Sequence, residues 1–423
     1  MRAKLTGWVL GLVAIVLLLL APLGLQNSPY LMHLAITAFF YAILASSWSL
    51  LAGYAGQFSF GHMAFMAIGG YTSALFSTYV RFTSAPTNLC REFPVGNMWL
   101  VFLEPVGITQ SGAPNCLETA KATFAAGTVI IQPSLWFGIG LGVLMGGLFG
   151  LIIGAMVLRL RSTYLALFTI GFSEILRATI SAEIDVTQGQ SGMEMPPLFP
   201  RGLTVAGTFF GPASKIPPYY IMLILFLFCM ALMGWLTASR FGLFIRSIRE
   251  DEEAAAALGV HVVRYKILVF VITAMMAAAA GAIQNHYIGI ITPNVLIILQ
   301  MSIVIAMAVI GGLENIVAAA VGAIVIEFAL ELLRNSFDIG PFRIDMTTWR
   351  LVFFGALLMI TLRFFRNGLI YPLLIRFTRG NVAAETVAKR QIVTNDEPPP
   401  GAPPAELPQE ELPQKELSEA RNA

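Results

Sequence analysis

The residues best suited to partner binding lie in one charged segment, residues 240–266, between two long apolar stretches. Its first part is charged and favours helix, and the tripeptide EAA at residues 253–255 is followed four residues later by Gly259. An alanine-rich run that ends at glycine predicts a short helix that stops at a left-handed glycine cap. A short helix between two membrane helices can act mechanically, because a partner that grips it can move both neighbours.

A second group of polar residues lies among glycines near the start of the chain. Glycines at positions 53, 56, 61, 69 and 70 weaken helix there, and discontinuous helices in transporters expose backbone groups to a substrate. The polar side chains of this stretch can hydrogen-bond a polar solute without a fixed charge. They form a candidate substrate pathway, which consists of Gln57, Ser59, His62 and Tyr71. The alternative is a tight packing turn with a structural or boundary histidine.

Ionisable residues within apolar stretches are further candidates, because charges inside a membrane are costly and often functional. Glu174 and Arg177 are three residues apart and can form an intramembrane ion pair on one helix. Glu327 and Glu331 are four residues apart on a later stretch. For each pair, a buried structural contact or a boundary position is the alternative reading.

Catalytic and metal-binding motifs are missing from the sequence. It contains no G-x-x-x-x-G-K-S/T phosphate loop, no G-x-S-x-G nucleophile elbow and no H-E-x-x-H metal helix. None of the three cysteines is paired as C-x-x-C, so the sequence predicts no metal site and no enzyme. Cys90 and Cys116 share one hydrophilic loop, and the alternatives for them are a disulfide bond or two free thiols.

The composition indicates a membrane protein. Of the 423 residues, 57% are hydrophobic and 12% charged, against about 45–50% and about 25% in soluble domains. Residues 5–80 and 267–313 contain no Asp, Glu, Lys or Arg, and apolar runs of about 20 residues can cross a bilayer as helices. The runs do not alternate, which excludes a barrel. A net charge of +2 without a basic cluster argues against nucleic-acid binding.

The predicted fold is an all-α membrane protein, a polytopic bundle of about eight to ten transmembrane helices. The candidate spans are Leu5–Leu25, Leu31–Leu51, Gly61–Val80, Leu135–Leu158, Tyr164–Ile180, Tyr219–Leu236, Ile267–Gly289, Val295–Ile310, Ile316–Leu333 and Leu351–Phe364. The third, fifth and eighth are short or interrupted, which makes each a candidate broken or re-entrant segment. In the fourth, glycines recur every four residues from Gly138 to Gly154, a face suited to close packing within this chain or against another subunit.

Lys and Arg are enriched in the segments that are cytoplasmic when the N-terminus is inside, which predicts cytoplasmic N- and C-termini. The first apolar run is longer than the core of a signal peptide, so an uncleaved first helix is the favoured expectation. The predicted regions are a transmembrane domain at 1–380, external loops at 81–134 and 181–218, a cytoplasmic loop at 240–266 and a disordered, acidic, proline-rich cytoplasmic tail at 381–423.

The charged segment resembles a known motif. Its pattern E-A-A-x-x-x-G is similar to the docking loop of ABC importer permeases. The longer stretch RSIREDEEAAAALGVHVVRYK, residues 246–266, resembles the branched-chain amino acid ABC permease family, of its second, larger type. Three stretches agree with that family: GYAGQFSFGHMAF from residue 53, RLRSTYLALFTIGFSEILR at 159–177 and TQGQSG at 187–192. In the last of these, Gln188 departs from the glycine that the family usually has.

The resemblance implies a permease domain in the cell inner membrane, with a coupling helix that docks into a groove on an ATPase subunit. The implied docking residues are Glu250, Asp251, Glu253, Ala254, Ala255 and Gly259. ATP is then used by the partner, and this chain binds no cofactor itself. The implied partners are ABC ATPase subunits, a second homologous permease subunit, a periplasmic substrate-binding protein and membrane lipid. The implied cargo is branched-chain or related amino acids, and the alternatives are a urea or short-amide permease and a self-sufficient secondary transporter.

Overall fold

The computed structural model describes residues 2–25, 28–82, 92–95, 98–102, 130–131, 134–157, 162–200, 202–205, 207–334, 337–339, 342–344, 346–365 and 368–372. Within these ranges the chain is a bundle of helices, and a helix occupies each predicted span. The helices are α1 (Arg2–Leu25), α2 (Pro29–Trp48), α3 (His62–Thr78), α4 (Leu135–Val157), α5 (Ser162–Ala182), α6 (Ile216–Ala238), α7 (Arg240–Glu250), α8 (Glu252–Ala257), α9 (Val262–Ile288), α10 (Ile298–Gly311), α11 (Ile316–Leu332) and α12 (Met346–Phe364). Cys90, Cys116 and the tail at 381–423 lie outside the described residues.

Five stretches in the described ranges are individually long and apolar enough to cross a bilayer. They are Pro29–Tyr54, which contains α2, then α4, Tyr164–Ala182 of α5, α6 and α9. A sixth candidate span is the pair of α10 and α11, which are bent by 119° relative to each other. The predicted multi-pass helical bundle is confirmed, although α3, with 17 residues, and the shorter apolar stretches of α1 and α12 fall below this length.

The three segments that the sequence marked as interrupted differ from one another. The third follows a π-helical turn at Ser49–Tyr54 and an irregular stretch at 55–61, and the eighth, α10, belongs to the bent pair. The fifth, α5, is a continuous helix from Ser162 to Ala182. Its polar residues therefore do not mark a break in the chain.

Helix α2 lies at the centre of the bundle, where 89% of its span is buried. It is apolar on all sides, as expected of a helix surrounded by protein, and it packs against α6, α9, α10 and α11. Helix α1 packs on α2 and α6. The hydroxyl groups of Tyr219 and Tyr220 on α6 donate hydrogen bonds to the carbonyls of Leu18 (2.8 Å) and Leu19 (3.2 Å) on α1.

The glycine face of α4 packs inside this chain, against α3 and α9. Gly142 contacts the carbonyl of Gly69, and Gly146 contacts the methyl group of Ala278. A side-chain carbon at Gly150 would lie 2.8 Å from the methyl carbon of Ala274, which is too close for a real contact. Of the two alternatives for this face, the structure supports internal packing.

Short strands occur in the connections, which the all-α prediction did not include. They are β1 (Tyr79–Phe82), β2 (Glu92–Val95), β3 (Met98–Phe102), β4 (Ile130–Ile131), β5 (Met193–Glu194), β6 (Leu203–Val205), β7 (Thr208–Phe210), β8 (Ile290–Ile291), β9 (Phe337–Ile339) and β10 (Phe342–Ile344). The first four form an antiparallel sheet in the order β2-β3-β1-β4, and β5 pairs with β8, β6 with β7 and β9 with β10. β1 begins inside the predicted third span, so α3 ends at Thr78.

Side-chain contacts define two ends of the bundle. At one end, which we name the loop end, Arg249 contacts both Gly53 and Glu314. At the other, which we name the far end, the hydroxyl of Tyr30 donates to Glu331 (2.7 Å) and the Lys215 ammonium donates to the carbonyl of Pro29 (3.1 Å). Helix α2 and the π-helical turn after it connect the two ends.

Candidate functional site

The charged segment forms two short helices, α7 and α8, at the loop end. Helix α7 buries one face through Ile245 and Ile248. The chain is extended at Asp251, whose carboxylate accepts hydrogen bonds from the backbone N–H groups of Glu253 (2.9 Å) and Ala254 (3.0 Å). Asp251 is therefore the N-cap of α8, an interaction that typically contributes about 1 kcal/mol to helix stability.

The other end of α8 is closed by Gly259, as the sequence predicted. Gly259 has φ = +85°, its N–H donates to the carbonyl of Ala256 (2.9 Å), and the next N–H, of Val260, donates to Ala255 (3.1 Å). This pair of bonds is the glycine C-cap of a helix. An added side-chain carbon at Gly259 would meet nothing within 4 Å, so the backbone conformation alone requires glycine.

The predicted docking residues divide between the surface and the interior of this loop. Ala255 is 2% exposed and packs with Ile248 and Val262 in a small core. Beside it, Leu258 is 85% exposed, although it belonged to no sequence prediction. The predicted docking residues that are exposed to solvent are Glu250, Asp251, Glu253, Ala254 and Gly259. The Lys266 ammonium pairs with Glu252 (2.6 Å) and holds α8 against α9.

Arg249 connects the last turn of α7 to the bundle. Its guanidinium donates to the backbone carbonyl of Gly53 and forms an ion pair with Glu314. Its aliphatic stem lies against Gly56, where an added side-chain carbon would be 3.3 Å from the Arg249 Cγ and where φ is +67°. The sequence marks Arg249 only as part of a motif, because its partners are 196 and 65 residues away along the chain.

Two further contacts join the segments that Arg249 connects. The guanidinium of Arg246 lies over the ring of Tyr54, 4.8 Å from its centroid, and the Ser49 hydroxyl donates to the carbonyl of Leu313 (2.7 Å). Gly53 also packs directly on the carbonyl of Leu313. Helix α7 is thus joined to the π-helical turn at Ser49–Tyr54 and, through Glu314, to the bend between α10 and α11.

The candidate pathway residues do not form one site. Gln57, Ser59 and His62 lie at the loop end, whereas Tyr71 is nine residues further along α3, about 14 Å away at 1.5 Å per residue. All four are buried. The Ser59 hydroxyl accepts from the N–H of Gly61 (3.1 Å), but within the described residues the side chains of Gln57, His62 and Tyr71 have no hydrogen-bond partner.

The predicted ion pair of Glu174 and Arg177 forms on α5. The Arg177 Nε lies 3.0 Å from both carboxylate oxygens of Glu174, and both side chains are partly exposed. Glu331 of the other acidic pair accepts from Arg334 (3.1 Å) at the far end. Within the ranges that the structure describes, no three His, Cys, Asp or Glu side chains come together as metal ligands.

Comparison with known proteins identifies the family. Residues 30–362 match the family model described as branched-chain amino acid transport system / permease component. No solved structure matches the chain significantly.

Three curated relatives carry related names. The high-affinity branched-chain amino acid transport system permease protein LivM of Salmonella typhimurium is 26% identical over 332 residues, which is 73% of this chain and 66% of the relative. LivM of Escherichia coli K12 is 29% identical over 237 residues, 51% of this chain and 56% of the relative. The LivH permease protein of the same organism is 30% identical over 194 residues, 45% and 60%. The chain spans less than two thirds of the length of each of these relatives, but because the family model covers residues 30–362, it belongs to the branched-chain amino acid transport permease family.

Proposed function

We propose that this chain is a membrane-spanning permease subunit of an ABC importer, and that it carries branched-chain or related amino acids across the inner membrane. The observation that carries the proposal is the exposed helix α8, capped at both ends and held between α7 and α9 at the loop end. Family membership and the names of the relatives support the substrate class. The excess of Lys and Arg in the segments on that side supports a cytoplasmic position for the loop end and both termini.

The energy for transport comes from partner subunits. The sequence lacks a phosphate-binding loop, so separate ABC ATPase subunits bind and hydrolyse ATP, and this chain holds no cofactor and catalyses no reaction. A second, homologous permease subunit completes the membrane part. A periplasmic substrate-binding protein delivers the amino acid at the far end.

Helix α8 has the properties of a surface that an ATPase can grip. Hydrogen bonds at Asp251 and Gly259 fix both of its ends, so it loses little conformational entropy on docking. Leu258, 85% exposed, offers an apolar side chain beside the carboxylates of Glu250 and Glu253. An apolar anchor within a polar rim is the usual arrangement of a protein interface.

Arg249 transmits the movement of α8 to the bundle. Its hydrogen bond to Gly53 and its ion pair with Glu314 are both charge-assisted, and such bonds are stronger than neutral ones. They end at two places where regular helix is interrupted, the π-helical turn and the bend at residues 312–315. Closure of the ATPases would therefore pull on the points of the bundle where the chain bends most easily.

Uptake of labelled leucine into proteoliposomes that contain the assembled importer tests the proposal. Leu258→Asp is expected to abolish ATP-dependent uptake and co-purification of the ATPase, because it places a charge in the docking surface without removing a contact within the chain. Thr208→Asp is the control, since it adds the same charge at an exposed position in β7, which is outside the loop end. Unchanged co-purification and uptake for Leu258→Asp would show that α8 is not the docking helix.

Arg249→Gln separates docking from transmission. The variant is expected to retain the ATPase but to transport fewer leucine molecules per ATP hydrolysed, whereas Arg240→Gln, at the exposed start of α7, is expected to behave as the wild type. Leucine uptake that persists without ATP and follows a proton gradient would instead establish a secondary transporter. Inhibition of leucine uptake by urea or acetamide, but not by valine, would show that the substrates are short amides.

A further inference from the structure

Helix α5 exposes one continuous face to its surroundings. The exposed residues recur at intervals of three and four, which places them on one side of a helix. This α5 face consists of Tyr164, Leu167, Phe168, Gly171, Glu174, Ile175, Ala178, Thr179 and Ala182. Among the five stretches that can cross a bilayer singly, α5 is the least covered by the rest of the chain.

The exposed faces of α4, of α6 and of α12 between Leu351 and Leu362 are apolar and fit lipid. Leu144 on α4, Phe228 on α6 and Met359 on α12 represent these faces, with exposed fractions of 63%, 62% and 71%. The α5 face differs because it contains Glu174, which forms an ion pair with Arg177 at the edge of the face. By the rise of 1.5 Å per residue, Glu174 is about 18 Å from the start of α5 and about 12 Å from its end.

Contact between an ion pair and the lipid chains is still unfavourable. The guanidinium of Arg177 has five N–H donors, and a single carboxylate cannot satisfy all of them. Ionisable residues in membrane helices almost always face protein or a water-filled cavity. Gly171 lies about one turn from Glu174 on the same face and meets nothing within 4 Å, so a second helix can approach closely there.

We propose that the α5 face is the packing surface for the second permease subunit, and that the Glu174–Arg177 pair makes polar contacts across that interface. The choice of occupant rests on the function proposed above and on one comparison. The chain is similar both to LivM and to LivH of Escherichia coli K12, each of which is named as a permease protein of a high-affinity branched-chain amino acid transport system. Polar groups of a permease packed against this face would accept from the Arg177 donors that Glu174 cannot satisfy.

Photo-crosslinking in native membranes tests the occupant. The photoreactive residue p-benzoylphenylalanine replaces Ala178 on the α5 face and, as a matched control, Leu144 on the apolar face of α4. Mass spectrometry is expected to identify a second permease of this family crosslinked at position 178 and only lipid adducts at position 144. Lipid adducts alone at position 178, or a crosslink to a second copy of this chain, would overturn the proposal.

A double substitution provides an independent measurement. Glu174→Leu with Arg177→Leu removes both charges and suits a lipid-facing helix, so the chain itself is expected to fold and keep its melting temperature in detergent. Co-purification of the second permease is expected to fall by about tenfold or more, because the partner's polar groups that contact the pair would be left buried without hydrogen bonds. Unchanged co-purification would overturn the proposal. If the second permease stays bound to the double variant and the ATPase does too, this proposal fails while the function proposed for α8 stands, so the two proposals fail separately.

Discussion

The glycine cap of α8 allows a direct test of whether α8 binds the ATPase. Gly259 adopts φ = +85° with no atom near the position of a side chain. In the Gly259→Ala variant, the only penalty is therefore the left-handed conformation of a residue that has a Cβ, roughly 1–2 kcal/mol. The variant has two ways to respond, either to keep the strained cap or to lose the bonds that Gly259 and Val260 donate to α8.

Either response weakens docking by a predictable amount. A cost of 1–2 kcal/mol corresponds to a factor of about 5–30 in the population of the capped loop, and the affinity for the ATPase is expected to fall by up to that factor. The Gly259→Asn variant is expected to lose less, because asparagine adopts the left-handed region more readily than alanine. The bundle itself is expected to remain folded, since an added side-chain carbon at Gly259 meets no atom within 4 Å.

The assay is the affinity of the purified ATPase for the solubilised chain, measured by titration at constant salt. The control is Gly207→Ala in the turn between β6 and β7, where φ is +83° and the space is equally open, but which lies outside the loop end. Gly207→Ala is expected to carry the same strain and leave ATPase affinity unchanged. Equal affinities for the wild type and Gly259→Ala, or equal losses at both glycines, would refute the reasoning.

Gln188, the only described non-glycine residue with positive φ (59°), is expected to gain up to about 1 kcal/mol of stability on replacement by glycine, seen as a higher melting temperature. Gly146→Ala is expected to lower the melting temperature, because its methyl group would collide with that of Ala278, at an overpacking cost of about 1–3 kcal/mol. Gly140→Ala on the same helix is the control, because its added methyl group meets nothing within 4 Å, and it is expected not to lower the melting temperature. In cells whose other cysteines are replaced, a membrane-impermeant thiol reagent is expected to label Thr208→Cys from outside, and labelling of that cysteine only after lysis would reverse the proposed orientation.

The positions of the spans were predictable because charge-free stretches identify membrane helices directly. Local signals also predicted the end of α8, since the cap at Gly259 depends on neighbours in sequence. The same is true of the Glu174–Arg177 pair, in which the partners are three residues apart on one helix. Each of these features depends on residues that are close together in the sequence, so composition and spacing are enough to predict it.

The contacts between distant segments were not predictable from the sequence alone. The partners of Arg249 are brought near by the fold of the whole bundle, and the bend of 119° depends on how α10 and α11 pack. The Asn315 side chain, which accepts from the N–H of Ala318 (3.0 Å), does signal the start of α11 locally. The Asn315 cap does not indicate the orientation of α11 relative to α10. The substrate contacts remain a prediction, because Gln57, Ser59 and His62 lie apart from Tyr71.

The central position of α2 has a consequence for how the protein is made. Most of the helices that surround it, α6, α9, α10 and α11, follow it in the chain, and the last of them ends at Leu332. At about 5–20 residues per second, the roughly 280 residues between the end of α2 and the end of α11 take about 15–55 s to synthesise. Until the last of these helices is made, part of the packing surface of α2 must rest in lipid or against the insertion machinery. A membrane insertase or chaperone that shields this segment during synthesis would therefore act on α2 before any other central contact of the bundle exists.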